Sequence, residues 1–312
     1  MLPSFFIFHK MSTSVTLCVF NPEHDLCLAN GDCNFVPPSS AVDFARRGGE
    51  VMRILYGDDA EVISADGYAE WRNQQPCDPL EIITWGWDAR LKQVLMKQGA
   101  PEQLMPSDEQ LTRIRELQHR KTIMSLQPKA WCVYSADEVR RLLVECGRLV
   151  LKAPWSGSGR GLRWVDGVLS GHDEAWIAKT VALQRCVIVE IREVVVDDFA
   201  LEFNLSAGVV SLVGLSLFKT QSGVYRCNVL LTDDEIRRHL QLPHSVEYAI
   251  CQWLRLYVAP YYNGPVGIDL IKNSDGDFCV SEMNLRHTMG LVAHRLLISR
   301  PELHGTSWSP TF

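Results

Sequence analysis

The sequence predicts a mixed α/β fold, with a βα-type unit at the N-terminal end and a larger α+β region after it. Three observations support this class. Apolar, β-prone runs alternate with segments that carry helix-capping signals, an Asp-Gly pair separates two β-prone segments, and a glycine- and serine-rich loop lies between two others. At 312 residues the chain is long enough for two or three domains with cores of their own.

The composition is that of an ordinary soluble globular protein, with 22% charged and 46% apolar residues. The net charge of −6 excludes an extended basic surface, so we expect neither nucleic acid nor an anionic membrane as a partner. No segment is long and apolar enough to cross a bilayer. The ten cysteines include no Cys-x-x-Cys pair, which favours buried free thiols in a reducing cytoplasm over a zinc site.

The first 106 residues contain the N-terminal unit. We interpret residues 1–10 as a tail or a mis-called start, because Met11 opens a more natural beginning, and we expect an α/β domain over 11–106. The elements expected after its first strand are a helix capped by Ser39 or Ser40 and running to Arg47, strands over 51–55 and 61–64, and a helix over 89–98 capped by Asp88.

Polar residues directly after the first strand, 15–20, are candidates for substrate contacts, because ligands bind at the carboxyl edge of such sheets. These residues are Asn21, Glu23, His24 and Asp25. A polar turn with an Asx cap is the alternative. Trp87 follows a second strand, 80–85, and is expected at the same edge unless it is a core aromatic residue.

The middle of the chain contains a loop that could bind phosphates. A capping box at Ser107 opens a helix, and a second helical segment ends at Pro128. Strands over 149–152 and 162–165 then flank the loop, which lacks the Gly-Lys-Ser/Thr of a Walker A motif. Its N–H groups can still fold over phosphates, with Lys152 adding charge; an ordinary turn is the alternative.

The C-terminal region is predicted to combine long strands with capped helices. An apolar strand, 186–191, ends near an acid, and further strand regions are expected over 209–218 and 224–231. The expected helices run from a capping box at Thr232 to Leu240, from Ser245 to Tyr257 and from about Leu291 to Ile298. Residues 301–312 are interpreted as a tail.

A hairpin around Asp275-Gly276 is the feature on which the functional prediction depends. A two-residue type I′ turn there places Asp269 opposite Glu282 and Gly267 opposite Asn284. Directly opposed side chains share one face, so two carboxylates and an amide oxygen form one patch. Such hard oxygen ligands suit Mg²⁺ on a nucleotide phosphate. A solvated acidic face is the alternative.

The order of these motifs resembles the ATP-grasp superfamily over roughly residues 107–298. The segments that carry the resemblance are Arg120-Lys121-Thr122, Lys152 with its glycine-rich loop, Val187-Ile188-Val189-Glu190, Gly267-Ile268-Asp269 and Ser281-Glu282-Met283-Asn284-Leu285-Arg286. The resemblance implies an ATP-grasp fold with a Rossmann-like pre-ATP-grasp domain at 11–106. Residues 107–190 would form the small subdomain with the glycine-rich loop, and 191–300 the subdomain with the Mg²⁺-binding hairpin.

The resemblance also implies roles for individual residues. ATP phosphates would be bound by Lys121, Lys152 and the loop residues Ser156, Gly157, Ser158 and Gly159. Glu190 and Ile191 would form the adenine hinge, and Asp198, with Asp197 as the alternative, would bind the ribose. Asp269, Glu282 and Asn284 would hold Mg²⁺, or Mn²⁺. Arg286 would act at the reacting acyl group, and Lys219 or Arg226 would supply the charge that several relatives carry at Gly267.

The activity implied is that of an ADP-forming carboxylate–amine ligase. A substrate carboxylate attacks the γ-phosphate, and an amine or thiol then displaces phosphate from the acyl phosphate. Partners would be small-molecule or peptide carboxylates and amines, with a homodimer as a further expectation. An ATP-dependent kinase or carboxylase and a non-catalytic nucleotide-binding regulator are the alternatives.

Overall fold

Three sheets organise the computed structural model, which describes residues 16–75, 79–157 and 161–310. The strands are β1 Thr16–Val19, β2 Glu61–Ile63, β3 Glu81–Thr84, β4 Ala130–Val133, β5 Arg148–Lys152, β6 Leu162–Asp166, β7 Val187–Ile191, β8 Val195–Ser206, β9 Val209–Gln221, β10 Val224–Val229, β11 Gly264–Asn273, β12 Phe278–Asn284 and β13 Ser307–Trp308. The predictions for residues 1–10, Ser158 and Gly159 fall outside these ranges.

Helices cover the sheets and connect them. The α-helices are α1 His24–Asn30, α2 Ser39–Arg47, α3 Glu50–Tyr56, α4 Tyr68–Gln74, α5 Ala89–Lys97, α6 Asp108–Leu117, α7 Ala136–Cys146, α8 Gly171–Gln184, α9 Asp233–Leu240, α10 His244–Tyr257 and α11 Met289–Ser299. Short 3₁₀ helices are Glu102–Leu104, Arg120–Leu126 and Pro301–Leu303. Within the described ranges, no helix is long and apolar enough to span a membrane.

The N-terminal sheet is parallel, with the order β2-β1-β3, as expected for a βα-type unit. A four-stranded antiparallel sheet, β4-β7-β5-β6, follows, and the glycine-rich loop joins its strands β5 and β6. The largest sheet is antiparallel and runs β12-β11-β8-β9-β10-β13. Residues 301–312 were expected to be a tail, but β13 pairs with β10 through Trp308 and Ser307.

The largest sheet has two different faces because side chains alternate along its strands. One face carries Phe199, Leu201 and Phe203, which pack with apolar residues of α9 and α10 in the main hydrophobic core. On the other face α11 lies so close that a Cβ on Gly290 would be 2.1 Å from Glu202 Oε1. The end of this second face that α11 leaves uncovered turns toward the four-stranded sheet.

The β11–β12 hairpin has the predicted register at its functional end but not the predicted turn. Asp269 pairs with Glu282 and Gly267 with Asn284. The loop, however, contains three residues, since Asn273 N donates to the Asp277 carbonyl and only Gly276 has a positive φ. A bulge at Ser281 adds one residue to β12, so the two deviations cancel.

Several local predictions were wrong for identifiable reasons. Residues 51–55 belong to α3, because a short apolar run does not distinguish a strand from a buried helix. Neither Ser39 nor Ser245 caps a helix, since the chain enters α2 and α10 from Pro38 and Pro243.

The caps at Asp88, Ser107 and Thr232 are confirmed. All nine described cysteines are free, and three of them are buried.

Candidate active site

A cavity of about 470 Å³ lies between the four-stranded sheet and the uncovered end of the largest sheet. This volume is within the range of small-molecule pockets in proteins. Six residues that the sequence analysis singled out line it, namely Lys152, Glu190, Ile191, Asp198, Asp269 and Glu282. The fold therefore brings the strand lysine, the apolar hinge strand and the acidic hairpin to one place.

Lys152, the last residue of β5, places a buried ammonium group in this cavity. Its Nζ lies 2.8 Å from Glu190 Oε2 and donates to the Ser281 carbonyl at 3.2 Å. Burial of a charge is costly unless the charge is paired and hydrogen-bonded, and these two partners meet that need. The bulge in β12 thus has a local consequence, because it directs Ser281 toward Lys152.

Arg120, which the sequence analysis passed over in favour of Lys121, is the second cation of the cavity. Its Nη2 lies 2.7 Å from Glu282 Oε1, and its Nη1 donates to the Ala153 carbonyl and to Ser156 Oγ. Its Nε is buried and, among the described residues, has no hydrogen-bond partner. Lys121 is exposed and does not line the cavity. The Arg-Lys pair in the sequence gave no signal for choosing between them.

Gln127 and Asp198 add further polar groups to the cavity, and Gln127 Nε2 lies 3.3 Å from Glu190 Oε1, beside the Lys152–Glu190 pair. Gln127 donates from Nε2 to the Val280 carbonyl at 2.7 Å, while its buried Oε1 has no partner in the described chain. Asp198 accepts a hydrogen bond from Thr220 at 2.7 Å, and burial raises the pKa of its carboxyl group. Asp197 instead lies 2.9 Å from His239 Nε2, outside the cavity.

The described part of the glycine-rich loop packs against two charged side chains. Ser156 accepts from Arg120, as its hydroxyl and its carbonyl both lie within hydrogen-bonding distance. Gly157 touches Asp25 so closely that a Cβ would lie 2.0 Å from Oδ2. Only glycine fits there without displacing Asp25.

Asp269, Glu282 and Asn284 form the predicted patch, and its two carboxylates line the cavity. Asn284 Nδ2 donates to Asp269 Oδ2 at 3.3 Å, but the buried Oδ1 of Asn284 has no partner within the described residues. The pKa of Asp269 is raised well above its usual value, first by burial and then by the charges of Glu282 and Glu202. The patch therefore contains an unpaired acceptor and two carboxylates that repel each other.

This arrangement fits Mg²⁺. A hard divalent cation prefers carboxylate and amide oxygens, and it would relieve both the repulsion and the unpaired Asn284 Oδ1. Over the ranges that the structure describes, no three His, Cys, Asp or Glu side chains are grouped to hold a metal by themselves. Mg²⁺ usually keeps waters and phosphate oxygens among its ligands, so two carboxylates and one amide are consistent with a nucleotide-borne ion.

Arg286 forms a two-point ion pair with Asp25 that joins the N-terminal unit to the end of β12. Arg286 Nε and Nη2 donate to the two Asp25 oxygens at 3.1 and 3.0 Å, and Nη1 donates to the His287 carbonyl. Burial raises the pKa of the Asp25 carboxyl group, but the charges of Arg286, His24 and Arg120 and the hydrogen bonds from Arg286 together outweigh it, and the net shift is downward. Asp25 thus occupies the fork with which Arg286 could hold another carboxylate.

Lys219 and Arg226 do not lie where the sequence analysis placed them. Both are exposed, and neither lines the cavity. Lys219 lies between Phe218 and Thr220, which do line it, so alternation along β9 directs the lysine to the opposite face. Arg226 sits at an irregularity in the pairing of β10 with β9.

The other candidate substrate residues of the N-terminal unit are buried structural groups in this conformation. Asn21 and His24 are at most 1% exposed and bond to Gly86 and Asp88, which ties the ends of β1 and β3 together. Glu23 pairs with Arg90 at 3.0 Å. Trp87 packs between two hydrophobic clusters. Of this set, Asp25 alone reaches the Gly157–Arg286 region.

Glu202, not a cation, fills the space beside Gly267. The two residues are register partners on β8 and β11, and a Cβ on Gly267 would lie 3.1 Å from Glu202 Oε2. Ser216 and Thr288 donate to the buried Glu202 carboxylate at 3.2 and 2.8 Å. Burial raises the pKa of Glu202 to about 7. Thr288 Cγ2 would lie closer still, at 2.6 Å from that Cβ on Gly267, so Thr288 and Glu202 together leave no room for an arginine at position 267.

Glu202→Gln should make the free energy of unfolding less sensitive to alkaline pH. Because the folded-state pKa, about 7, exceeds the ordinary glutamate pKa of 4.5, protonated Glu202 stabilises the wild type below pH 4.5, and this contribution is lost as the pH rises to 7. The variant should be more stable at pH 8 by at most about 3 kcal/mol, with no difference near pH 4.5. Urea unfolding across pH 4.5–8 measures this. Parallel pH profiles of the two proteins would contradict it.

The chain has the ATP-grasp fold. The solved structures that it resembles include N5-carboxyaminoimidazole synthetase from Staphylococcus aureus in complex with ADP, with a TM-score of 0.54, 14% identity, and coverage of 97% of this chain and 80% of that one. D-alanyl-alanine synthetase A from Vibrio cholerae has a TM-score of 0.53 and 13% identity, and the match covers 92% of this chain and 94% of that one. Biotin carboxylase from Campylobacter jejuni, solved as a β,γ-ATP complex, has a TM-score of 0.54 and 13% identity, and the match covers 96% of this chain and 73% of that one.

At these identities the likeness shows the fold alone. No protein-family model matches the sequence. No curated protein matches it either.

Proposed function

We propose that the protein is a Mg²⁺-dependent, ADP-forming ligase that activates a substrate carboxylate with ATP and transfers the acyl group to an amine or thiol. The observation that carries this proposal is the Asp269–Glu282 pair with the unpaired Asn284 oxygen, at the same end of the cavity as two buried cations. A binding module without turnover has no need of directly opposed carboxylates, since they destabilise a sheet.

The main polar side chains of the cavity have roles in this reaction. Lys152 and Arg120 hold the phosphates, the 190–191 strand end and Gln127 bind adenine, and Asp198 binds the ribose. A Mg²⁺ ion on the hairpin patch would neutralise phosphate charge and act as a Lewis acid. Phosphoryl transfer depends mainly on positioning and charge neutralisation, so no dedicated nucleophile of the protein is required.

Arg286 would act at the acyl group, and Asp25 holds its guanidinium. Two of its N–H groups bind Asp25 and one binds the His287 carbonyl, which leaves donors on Nη1 and Nη2 for the developing negative charge. Preorganised donors of this kind stabilise a tetrahedral intermediate without reorganisation.

The test is ADP release by the purified protein with Mg²⁺ and ATP across pools of amino acids and peptides. The proposal predicts release that depends on both a carboxylate and an amine or thiol and that Asp269→Asn abolishes. Release that instead requires bicarbonate would assign an ATP-dependent carboxylation. No substrate-dependent release in any pool, from protein that binds ATP, would favour a nucleotide-binding regulator.

A further inference from the structure

A second cavity of about 470 Å³ lies apart from the proposed active site, between α1, α5 and α6. Residues from these three helices and from the loop after α1 line it. It contains none of the residues assigned above to ATP, Mg²⁺ or the acyl group. Its size is that of a small-molecule site.

Most charged side chains that line this cavity are already neutralised by neighbours. Arg90 pairs with Glu23, and Lys92 pairs with both Glu102 and Asp108. Glu116 pairs with Arg113 at 3.0 Å. Asp88 caps α5 and accepts from Asn21.

Arg115 and Asp32 are the exceptions, since neither has an ion-pair partner among the described residues. The Arg115 guanidinium lies 4.1 Å from the Trp155 ring centroid, and its Nε donates to the Leu28 carbonyl at 2.8 Å. No hydrogen bond of its Nη1 or Nη2 to a described residue accompanies this contact. Asp32 Oδ1 accepts only from the backbone and side chain of Asn34.

The two unpaired charges line the same cavity. Arg115 Nη2 lies against Gly31, where a Cβ would be 2.9 Å away, and Gly31 directly precedes Asp32 in the chain. Burial lowers the pKa of Arg115, and no carboxylate opposes that shift. A partly buried guanidinium held over an indole ring, whose two terminal nitrogens have no hydrogen bond to a described residue, is preorganised to bind a carboxylate at two points.

We propose that this cavity binds a zwitterionic amino acid, with its carboxylate on Arg115 and its ammonium group on Asp32. A purely anionic ligand would gain from Arg115 but would be repelled by the unpaired Asp32 carboxylate, whereas an α-amino acid can match both charges of the same cavity. This binding does not depend on the proposed function, because no nucleotide contact is involved.

The site connects directly to the glycine-rich loop. Trp155, on which Arg115 stacks, donates from Nε1 to the Arg115 carbonyl at 2.9 Å, and the next residue, Ser156, holds Arg120. An amino acid at Arg115 would therefore fix the segment that positions the second cation of the ATP cavity.

The experiment is a thermal-shift screen of the nucleotide-free protein against the twenty free L-amino acids at low millimolar concentration. At least one should raise the melting temperature, and its N-acetyl and carboxamide derivatives should not. Arg115→Gln and Asp32→Asn should each weaken the affinity by about tenfold or more. Arg141→Gln is the control, because Arg141 is an exposed arginine of α7 that does not line the cavity.

Two outcomes would overturn the proposal. One is a screen in which no free amino acid raises the melting temperature of the wild-type protein. The other is a shift that persists in Asp32→Asn and Arg115→Gln, or that the N-acetyl derivative reproduces. Asp32 is exposed, so its variant should fold even if Arg115→Gln does not.

Discussion

Glu282→Gln should reduce Mg²⁺-dependent ATP turnover by at least about 100-fold while leaving the fold intact. Glu282 is directly opposite Asp269, and the two carboxylates together with Asn284 are the oxygen ligands of the proposed ion. The amide of glutamine keeps the shape of the side chain but removes the charge that binds the metal. ADP release and the Mg²⁺ dependence of ATP binding measure the effect.

Asp275→Asn is the control for this substitution, since Asp275 is an exposed acid in the loop of the same hairpin. It removes one negative charge near the cavity without touching the patch, so turnover should stay within about twofold of wild type. If Glu282→Gln retained wild-type turnover, or if Asp275→Asn lost as much, the patch would not be the metal site.

Arg120→Met should weaken Mg²⁺–ATP binding by about 10- to 100-fold, whereas Lys121→Met should have little effect. Arg120 is buried, lines the cavity and bonds to Glu282 and Ser156, while Lys121 is exposed. Loss of one or two charge-assisted hydrogen bonds to phosphate accounts for this range. Calorimetric titration of both variants with Mg²⁺–ATP measures it.

The neighbouring lysine is therefore an internal control at almost the same sequence position. A larger loss in Lys121→Met than in Arg120→Met would restore Lys121 as the phosphate ligand and would require this segment to rearrange when nucleotide binds. Circular dichroism on Arg120→Met separates a loss of binding from unfolding, because that substitution leaves Glu282 half-buried and unpaired.

The sequence predicted the acidic patch because the pairing of two neighbouring strands is a local property. The predicted pairing of Asp269 with Glu282 is correct although the predicted two-residue turn is not. The three-residue loop and the bulge at Ser281 shift the register in opposite directions and compensate each other. Lys152 and Glu190 were also predictable, because both stand at the ends of apolar strands.

Contacts between distant segments could not be predicted in the same way. Nothing in the sequence indicates that Asp25 occupies the Arg286 fork or that Glu202 fills the space beside Gly267. Likewise, Asn21 and His24 have the residue types of a substrate site but serve to join the ends of β1 and β3. These roles depend on burial and on partners that lie 60 or more residues away in the sequence, and residue type alone does not reveal them.

The most direct test of the central claim is calorimetric titration of the wild-type protein with ATP, once with excess Mg²⁺ and once with EDTA. The account predicts saturable binding at one site with Mg²⁺, and clearly weaker binding when the metal is removed and Asp269 and Glu282 face the phosphates unscreened. Equal affinity under both conditions, or no binding with Mg²⁺, would contradict a metal-dependent ATP site in this cavity.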